Sequence, residues 1–215
     1  MRMSIKAVIF DLDGVIVSTD EFHYQAWKAI ADQEGIYFDP QINQGLRGVS
    51  RMESLEVLLR KSPRVYTPPE KESLAQRKNE IYRRLLERLT SADILPGVLE
   101  LLNTLKAQKV KIGIGSSSKN TAVILAKIGL GSFFDAVADG SEIHNSKPDP
   151  EVFLLAASKL AVEPAACVVV EDAEAGLRAA KAGGMYALGI GNPAMLPSAD
   201  TVIANLEEFD LALLA

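Results

Sequence analysis

The chain has one cysteine and two histidines among its 215 residues. A single thiol cannot form an internal disulfide framework, and so few thiols and imidazoles argue against a Cys/His zinc site. Cys167 lies in an apolar run, so we expect an inert buried thiol there.

Long hydrophobic runs are also missing. The apolar run Cys167 to Val170 has the length of a strand, far short of the roughly 20 residues that span a bilayer. Residues 1–6 lack the apolar region of a secretory signal. The sequence therefore predicts no membrane association and a cytoplasmic location.

The charge pattern limits the possible partners. A formal net charge of -5 argues against a general nucleic-acid binder. Between Arg60 and Arg88, however, nine Lys or Arg residues stand against four Glu. This segment is either a solvated helix face with pairs such as Glu80 and Arg84, or a surface that attracts an anionic substrate.

Several nucleotide and hydrolase motifs are absent as well. The chain contains no Gly-x-x-x-x-Gly-Lys-Ser/Thr loop and no Gly-x-Ser-x-Gly elbow. The segment Gly113 to Gly115 lacks the third glycine of a dinucleotide fingerprint. These absences disfavour nucleotide binding and serine hydrolase chemistry.

Strand and helix patterns alternate along most of the chain, in which 48% of the residues are hydrophobic. This alternation predicts an α/β fold with a parallel sheet. The predicted strands are Lys6 to Phe10, Val110 to Gly115, Ala136 to Ala138, Cys167 to Val170, Tyr186 to Ile190 and Thr201 to Ile203. The predicted helices between them are Val98 to Leu105, Thr121 to Ile128, Glu151 to Leu160 and Ala173 to Ala182.

Residues 17–92 break the alternation, because they show helical periodicity and no convincing strand. Ser18 to Glu21 has the spacing of a capping box, and a second helix is predicted over 70–89. We therefore predict an α-helical cap at 17–92, inserted into a core domain formed by 1–16 and 93–215. The two linkers between them would form a hinge.

Polar side chains follow four of the predicted strands. They are Asp11 and Asp13, Ser116, Lys147, and Glu171 with Asp172. Because the carboxyl ends of parallel strands share one edge of the sheet, we expect these groups to meet there. Clustered carboxylates without imidazole or thiolate ligands indicate Mg²⁺, and a bound Mg²⁺ implies a phosphate.

This set of groups permits phosphoryl transfer. Asp11 could attack phosphorus and form an aspartyl phosphate, while Asp13 acts as general acid and base. Either aspartate alone is more often a helix cap or turn residue, so the hypothesis depends on the whole pattern.

At these positions the sequence resembles the haloacid dehalogenase-like superfamily. The matching segments are Phe10 to Val15, Ser116, Lys147-Pro148 and Glu171-Asp172. The resemblance covers essentially the whole chain and implies a Rossmann-like core with a helical cap after the first strand. Within the superfamily, the cap and loops resemble those of the phosphosugar mutases, through Thr19, His23, Trp27, the segment Arg47 to Arg51, Ser54, the segment Arg77 to Asn79, and the segment Ser116 to Asn120.

The resemblance implies a role for each matching residue. Asp11 would be the nucleophile and Asp13 the acid/base, and the Mg²⁺ ligands would be Asp11, the carbonyl of Asp13, Glu171 and Asp172. Ser116 and Lys147 would hold the transferring phosphate, and the distal phosphate would bind Arg51, Ser118, Lys119 and Asn120. The sugar would contact Gly48, Val49 and Ser54, and His23 with Lys78 would couple cap closure to Asp13. The remaining substrate-binding candidates are Thr19, Trp27, Ser50 and Ser117.

Plainer interpretations remain open for some of these residues. Taken alone, His23 and Trp27 fit core packing, Lys78 a solvated helix charge and Arg51 a loop cation. The chain also has Ser18 where the family commonly has a hinge aspartate.

Three functions follow from the resemblance. The first is a monomeric mutase that interconverts β-D-glucose 1-phosphate and glucose 6-phosphate through phospho-Asp11, with β-glucose 1,6-bisphosphate as intermediate and activator. The second is a Mg²⁺-dependent sugar-phosphate phosphatase, in which water accepts the phosphoryl group. The third is a non-catalytic binding protein.

Overall fold

A six-stranded parallel sheet forms the centre of the protein. The computed structural model describes residues 5–210, with strand order β3-β2-β1-β4-β5-β6. The strands are β1 (Ala7–Phe10), β2 (Lys111–Gly115), β3 (Ala136–Ala138), β4 (Cys167–Glu171), β5 (Tyr186–Ile190) and β6 (Thr201–Ile203). This topology confirms the predicted α/β parallel-sheet fold.

Helices cover both faces of the sheet because its central strands are buried throughout. In β1, Val8 and Phe10 join one hydrophobic cluster, whereas Ala7 and Ile9 join a second cluster on the opposite face. The covering helices are α5 (Val98–Ala107), α6 (Thr121–Lys127), α7 (Glu151–Leu160) and α8 (Glu174–Ala182).

Four helices lie between β1 and α5. They are α1 (Asp20–Gln33), α2 (Pro40–Gln44), α3 (Arg51–Leu59) and α4 (Pro68–Leu86). They enclose a hydrophobic cluster of their own, which includes Trp27, Leu55 and Leu74. The far end of α4 joins the core instead, since Tyr82 and Leu86 belong to the cluster on the sheet. Helix α2, with five residues, is too short for its periodicity to be detected.

The predicted capping box at Ser18 to Glu21 is wrong. Thr19 is the N-cap of α1, and its side chain makes no capping bond. Its hydroxyl donates to Asp13 instead, so this position serves the carboxylate rather than the helix end.

The basic segment of α4 is not uniformly solvated. Arg77 pairs with Glu34 on the surface of the cap, whereas the Lys78 side chain is 2% exposed. The predicted core also includes residues 1–4 and 211–215, which lie outside the described residues. Within 5–210, each helix is too short or too polar to cross a membrane.

Candidate active site

The loop after β1 carries Asp11 and Asp13 into contact with the loop after β4. Gly14 makes the sharp turn with φ of +87°, a conformation that L side chains rarely adopt. A Cβ atom at Gly14 would lie 2.2 Å from Oδ2 of Asp172. Glycine therefore permits the close approach that places the aspartates of both loops together.

Lys147 is the buried cation of this edge of the sheet. Its ammonium donates to Oδ1 of Asp11 at 2.5 Å and to Oε2 of Glu171 at 2.8 Å, and its side chain is fully buried. Burial lowers the pKa of Lys147, but the two carboxylates outweigh it and hold that pKa above its usual value. The side chain lies behind Asp11 and does not line the cavity.

The carboxylates of Asp11, Glu171 and Asp172 offer oxygen atoms that all lie within 4.8 Å of one another. Burial, followed by the charges of neighbouring carboxylates, raises the pKa of both Glu171 and Asp172. The single positive charge of Lys147 does not balance the negative charges of three carboxylates. Oxygen donors of this kind bind Mg²⁺.

Glu171 is tightly enclosed. Its Oε1 accepts from the backbone N–H groups of Asp172 and Ala173, and a Cβ atom at Gly176 would lie 1.9 Å from its Oε2. The carboxylate of Asp13 is not part of the cluster, and the ligand predicted for this residue is its carbonyl oxygen.

Thr19, the N-cap of α1, holds the carboxylate of Asp13. Its carboxylate accepts from the backbone N–H of Thr19 at 2.6 Å and from the Thr19 hydroxyl at 2.5 Å. The Thr19 hydroxyl also bonds Tyr82, with 2.7 Å between the oxygens. Burial raises the pKa of Asp13 to about 6, and the bonds from Thr19 limit that rise.

The half-buried His23 and the buried Lys78 face Asp13 from the cap side. Nε2 of His23 lies 3.5 Å from Oδ2 of Asp13, and Nδ1 lies 2.8 Å from the ammonium of Lys78. The rings of Trp27 and Tyr82 flank that ammonium at 5.0 and 4.6 Å. Burial lowers the pKa of both His23 and Lys78, and nearby positive charges add to the effect. Lys78 is therefore not the solvated helix charge that its sequence context alone allows.

A cavity of about 560 Å³ lies between the cap and the carboxyl edge of the sheet. Most predicted site residues line it: Asp11, Asp13, His23, Trp27, Gly48, Val49, Ser50, Arg51, Ser54, Lys78, Ser116, Ser117, Ser118, Lys119, Asn120 and Asp172. Thr19, Lys147 and Glu171 do not. Thr19 instead contacts Asp13, Lys147 contacts Asp11, and Glu171 accepts from Lys147.

Hydrogen bonds join the cap to the core around this cavity. The Ser117 hydroxyl donates to the Gly48 carbonyl at 3.3 Å, and the Asn120 side-chain amide donates to Asn79 at 3.0 Å. These two bonds link Gly48 and Asn79 to the loop after β2, and the first of them occupies the Ser117 hydroxyl.

The sequence analysis missed Arg47, although it lies inside a quoted motif. Its side chain lines the cavity, bonds Asp20 and lies 3.6 Å from Asp172. The two partners are 27 and 125 residues away along the chain, so no local spacing could reveal them. Tyr82 was missed for the same reason, because its partner Thr19 lies 63 residues away along the chain.

Comparison with known proteins identifies the family. A model of the haloacid dehalogenase-like hydrolases matches residues 5–184. The chain belongs to this family. The match runs from β1 to the end of α8 and so includes all four loops that carry the predicted chemistry.

Three relatives illustrate the similarity. The chain is 46% identical over 212 residues to β-phosphoglucomutase of Bacillus subtilis, which covers 98% of this chain and 94% of the relative. It is 33% identical over 183 residues to a fructose-1-phosphate phosphatase of Escherichia coli, covering 85% and 95%. A crystal structure of β-phosphoglucomutase from Clostridium difficile superposes with a TM-score of 0.92 at 40% identity, covering 97% and 95%.

Proposed function

We propose that the protein is a phosphosugar mutase that interconverts β-D-glucose 1-phosphate and glucose 6-phosphate. One observation carries the proposal: the cavity that contains Asp11 and Asp13 is also lined by Arg51, Lys119 and Asn120. A mutase must hold a phosphate that is not reacting, whereas hydrolysis does not require this. The similarity to β-phosphoglucomutases over nearly the whole chain supports the same assignment.

Asp11 is the proposed nucleophile. Lys147 binds Oδ1 and fixes the carboxylate, so Oδ2 is the oxygen available for attack on phosphorus. In the first transfer, phospho-Asp11 passes its phosphoryl group to the free hydroxyl of the hexose monophosphate, so the bond between Asp11 and phosphorus breaks and the bisphosphate forms. In the second transfer, the Asp11 oxygen forms a bond to the other phosphorus and the P–O bond to the sugar breaks, which releases the product monophosphate and regenerates phospho-Asp11.

Mg²⁺ fits the cluster of Asp11, Glu171 and Asp172 and, when bound, would neutralise charge between the nucleophile and the phosphate. Glu171 would contribute mainly from the side of the cluster away from the cavity. Its oxygens already accept hydrogen bonds from Lys147 and from two backbone N–H groups. Ser116, at 3% exposure on the cavity wall, is the proposed hydroxyl donor to the transferring phosphate.

Asp13 is the proposed acid and base. With a pKa raised to about 6, it holds a proton in a useful fraction of molecules near neutral pH. It would protonate the leaving sugar oxygen in one half-reaction and deprotonate the attacking hydroxyl in the other. His23 lies 3.5 Å from Oδ2 of Asp13, the oxygen that also accepts from the Thr19 hydroxyl, and connects this proton transfer to the cap through Lys78.

Both phosphates must exchange positions during the reaction. The β-glucose 1,6-bisphosphate intermediate would therefore turn over in the cavity or leave and bind again, and it would also serve as the activator that phosphorylates Asp11. We propose that Arg51, Ser118, Lys119 and Asn120 grip the distal phosphate in either orientation, with Gly48, Val49 and Ser54 against the sugar.

We also propose that residues 17–92 move as a cap over a core made of 1–16 and 93–215. The separate hydrophobic cluster of α1, α3 and α4 supports an independent cap, and Gly14 and the segment 90–96 lie where the chain crosses. All proposed site residues belong to one chain, so a monomer would suffice.

A sugar-phosphate phosphatase is the second candidate, favoured by the similarity to the fructose-1-phosphate phosphatase of Escherichia coli. The two reactions share Asp11 and Asp13 and differ in the acceptor of the phosphoryl group. Closure of the proposed cap would exclude water and so favour the sugar as acceptor.

A product assay separates the two candidates. The protein is incubated with Mg²⁺, a trace of β-glucose 1,6-bisphosphate and β-D-glucose 1-phosphate, and glucose 6-phosphate and free phosphate are measured together. The mutase predicts glucose 6-phosphate in large excess over free phosphate. Stoichiometric free phosphate without the isomer would establish the phosphatase. Asp11→Asn is the control and yields neither product.

A further inference from the structure

The side chain of Arg47 reaches from the cap to the acidic cluster of the core. It lies in the turn between α2 and α3, and its side chain lines the cavity. Nη2 bonds the carboxylate of Asp20 at the start of α1, while Nη1 lies 3.6 Å from Oδ2 of Asp172. One guanidinium thus joins two cap elements to a carboxylate proposed to bind Mg²⁺.

The two arginines of this cap segment face different groups. The charge of Arg51 acts on His23 and Lys78, both of which belong to the cap. Arg47 faces the core instead, because its Nη1 lies 3.6 Å from Oδ2 of Asp172. Its positive charge therefore lies beside the carboxylate cluster.

Asp20 gives the Arg47 side chain its direction. A long guanidinium side chain with 43% of its surface exposed has many rotamers, and a carboxylate partner restricts them. Asp20 follows Thr19, which binds Asp13. The first turn of α1 therefore positions one group toward the acid/base and a second toward the metal cluster.

We propose that Arg47, oriented by Asp20, is a positioning residue that makes cap closure and Mg²⁺ binding oppose each other through Asp172. Closure brings a positive charge to within 3.6 Å of a carboxylate that the metal also needs. Two cations attracted to one carboxylate repel each other at short range. Because coupling is reciprocal, metal binding loosens the closed cap and removal of Arg47 strengthens metal binding.

This coupling would serve a two-phosphate reaction. The cap must open for substrate exchange while the metal stays on the core, and a repulsion between Mg²⁺ and Arg47 lowers the cost of opening. An incoming phosphate supplies negative charge between the two cations, so closure becomes favourable when substrate is bound. The inference rests on the metal-binding part of the proposed function.

The first test is isothermal titration calorimetry with Mg²⁺ alone, at low ionic strength and without substrate. We expect Arg47→Met to bind Mg²⁺ about 3-fold to 10-fold more tightly than the wild type, with a difference that shrinks as salt is added. Arg47→Lys keeps the positive charge and should retain wild-type affinity more closely. Arg60→Met is the matched control, because Arg60 is an exposed cap arginine that does not line the cavity.

Small-angle X-ray scattering of the metal-free proteins gives a second readout. Arg47→Met and Asp20→Asn should both show a larger radius of gyration than the wild type, while Arg60→Met should not. Arg47→Gln replaces Arg47→Met if circular dichroism shows that the latter is not folded.

The outcomes separate the two proposals. If the wild type binds Mg²⁺ and Arg47→Met binds it equally or more weakly, the coupling is wrong while the metal site stands. If the wild type binds no Mg²⁺, the metal site is wrong, and the coupling is wrong with it.

Discussion

Thr19 binds both oxygens of the Asp13 carboxylate, with its backbone N–H on Oδ1 at 2.6 Å and its hydroxyl on Oδ2 at 2.5 Å. Thr19 is also the N-cap of α1, the first helix of the cap. The orientation of the proposed acid/base is therefore set at the point where the chain leaves the core.

The Thr19 hydroxyl should influence the pH dependence of catalysis. Its hydrogen bond lowers the pKa of Asp13, which burial raises to about 6. Thr19→Val removes that bond, so the pKa of Asp13 rises. The phosphoenzyme needs the unprotonated carboxylate as base, so activity falls as pH drops through this pKa. The acidic limb of kcat/KM against pH should move to higher pH in Thr19→Val.

Two controls accompany this measurement. Thr201→Val removes a threonine hydroxyl at the far edge of the sheet, bonded to Tyr186, and should leave the limb in place. Asp13→Asn should remove the limb and slow transfer by about 10² to 10⁴. An unshifted limb in Thr19→Val would contradict the assignment of that limb to Asp13.

Strand ends were predictable because their pattern is local. The apolar run of β1 stops at Asp11, and the same change at Ser116 and Glu171 indicates which residues share one edge of the sheet. The pairings across the cap were not predictable. Arg47 meets Asp172 only after the cap folds over the core, and no periodicity records a contact between residues so distant in sequence.

Local rules also misassigned one residue. Ser18 to Glu21 has capping-box spacing, yet Thr19 is the N-cap, and its hydroxyl donates to the half-buried carboxylate of Asp13. Burying an ionisable group without hydrogen bonds costs more free energy than leaving one helix end uncapped. At this position, the hydrogen bond to Asp13 therefore takes the place of a capping bond to α1.

Lys147 should stabilise the fold as well as position Asp11. Lys147→Met leaves the carboxylates of Asp11 and Glu171 buried without their cation, which costs about 3–5 kcal/mol for a broken buried ion pair. Urea unfolding should show this loss, and it should be smaller with Mg²⁺ present. Lys111→Met is the control, because that ammonium donates to the Leu160 carbonyl outside the site. Equal stability losses in the two variants would contradict this role of Lys147.

Replacement of Lys78 should stabilise the protein while it lowers the activity. Its ammonium is buried, and its pKa lies well below the usual value, so the unfolded chain binds the proton more tightly. The wild type therefore gains stability as pH rises toward the unfolded-state pKa. Lys78→Met should raise the free energy of unfolding at pH 7 by about 1 kcal/mol or more, and this gain should shrink toward pH 10.

Mutase activity should fall in the same variant, because the contact from Lys78 through His23 to Asp13 is lost. Lys71→Met, on the same helix, removes only an exposed pair with Glu56 and should lower stability by less than about 1 kcal/mol. A Lys78→Met protein that is less stable at pH 7 would contradict the burial cost assigned to this ammonium.

Replacement of Arg51 should affect binding at the distal-phosphate end of the cavity but not phosphorylation at the Asp11 end. A charge-assisted contact to the distal phosphate contributes about 1.5–3 kcal/mol. Arg51→Ala should therefore lower mutase kcat/KM by at least about 10-fold. Phosphorylation of Asp11 by acetyl phosphate involves no distal phosphate and should change little. Arg60→Ala serves as the matched cap control, and an equal fall in both reactions of Arg51→Ala would contradict the distal-phosphate role.

The most direct test follows a labelled phosphoryl group. Asp11 is phosphorylated with ³²P-labelled acetyl phosphate in the presence of Mg²⁺, the donor is removed, and β-D-glucose 1-phosphate is added in a rapid-quench experiment. The account predicts that the label passes to β-glucose 1,6-bisphosphate and then to glucose 6-phosphate, with little free phosphate. Label released mainly as inorganic phosphate, at a rate unaffected by the sugar phosphate, would contradict the mutase.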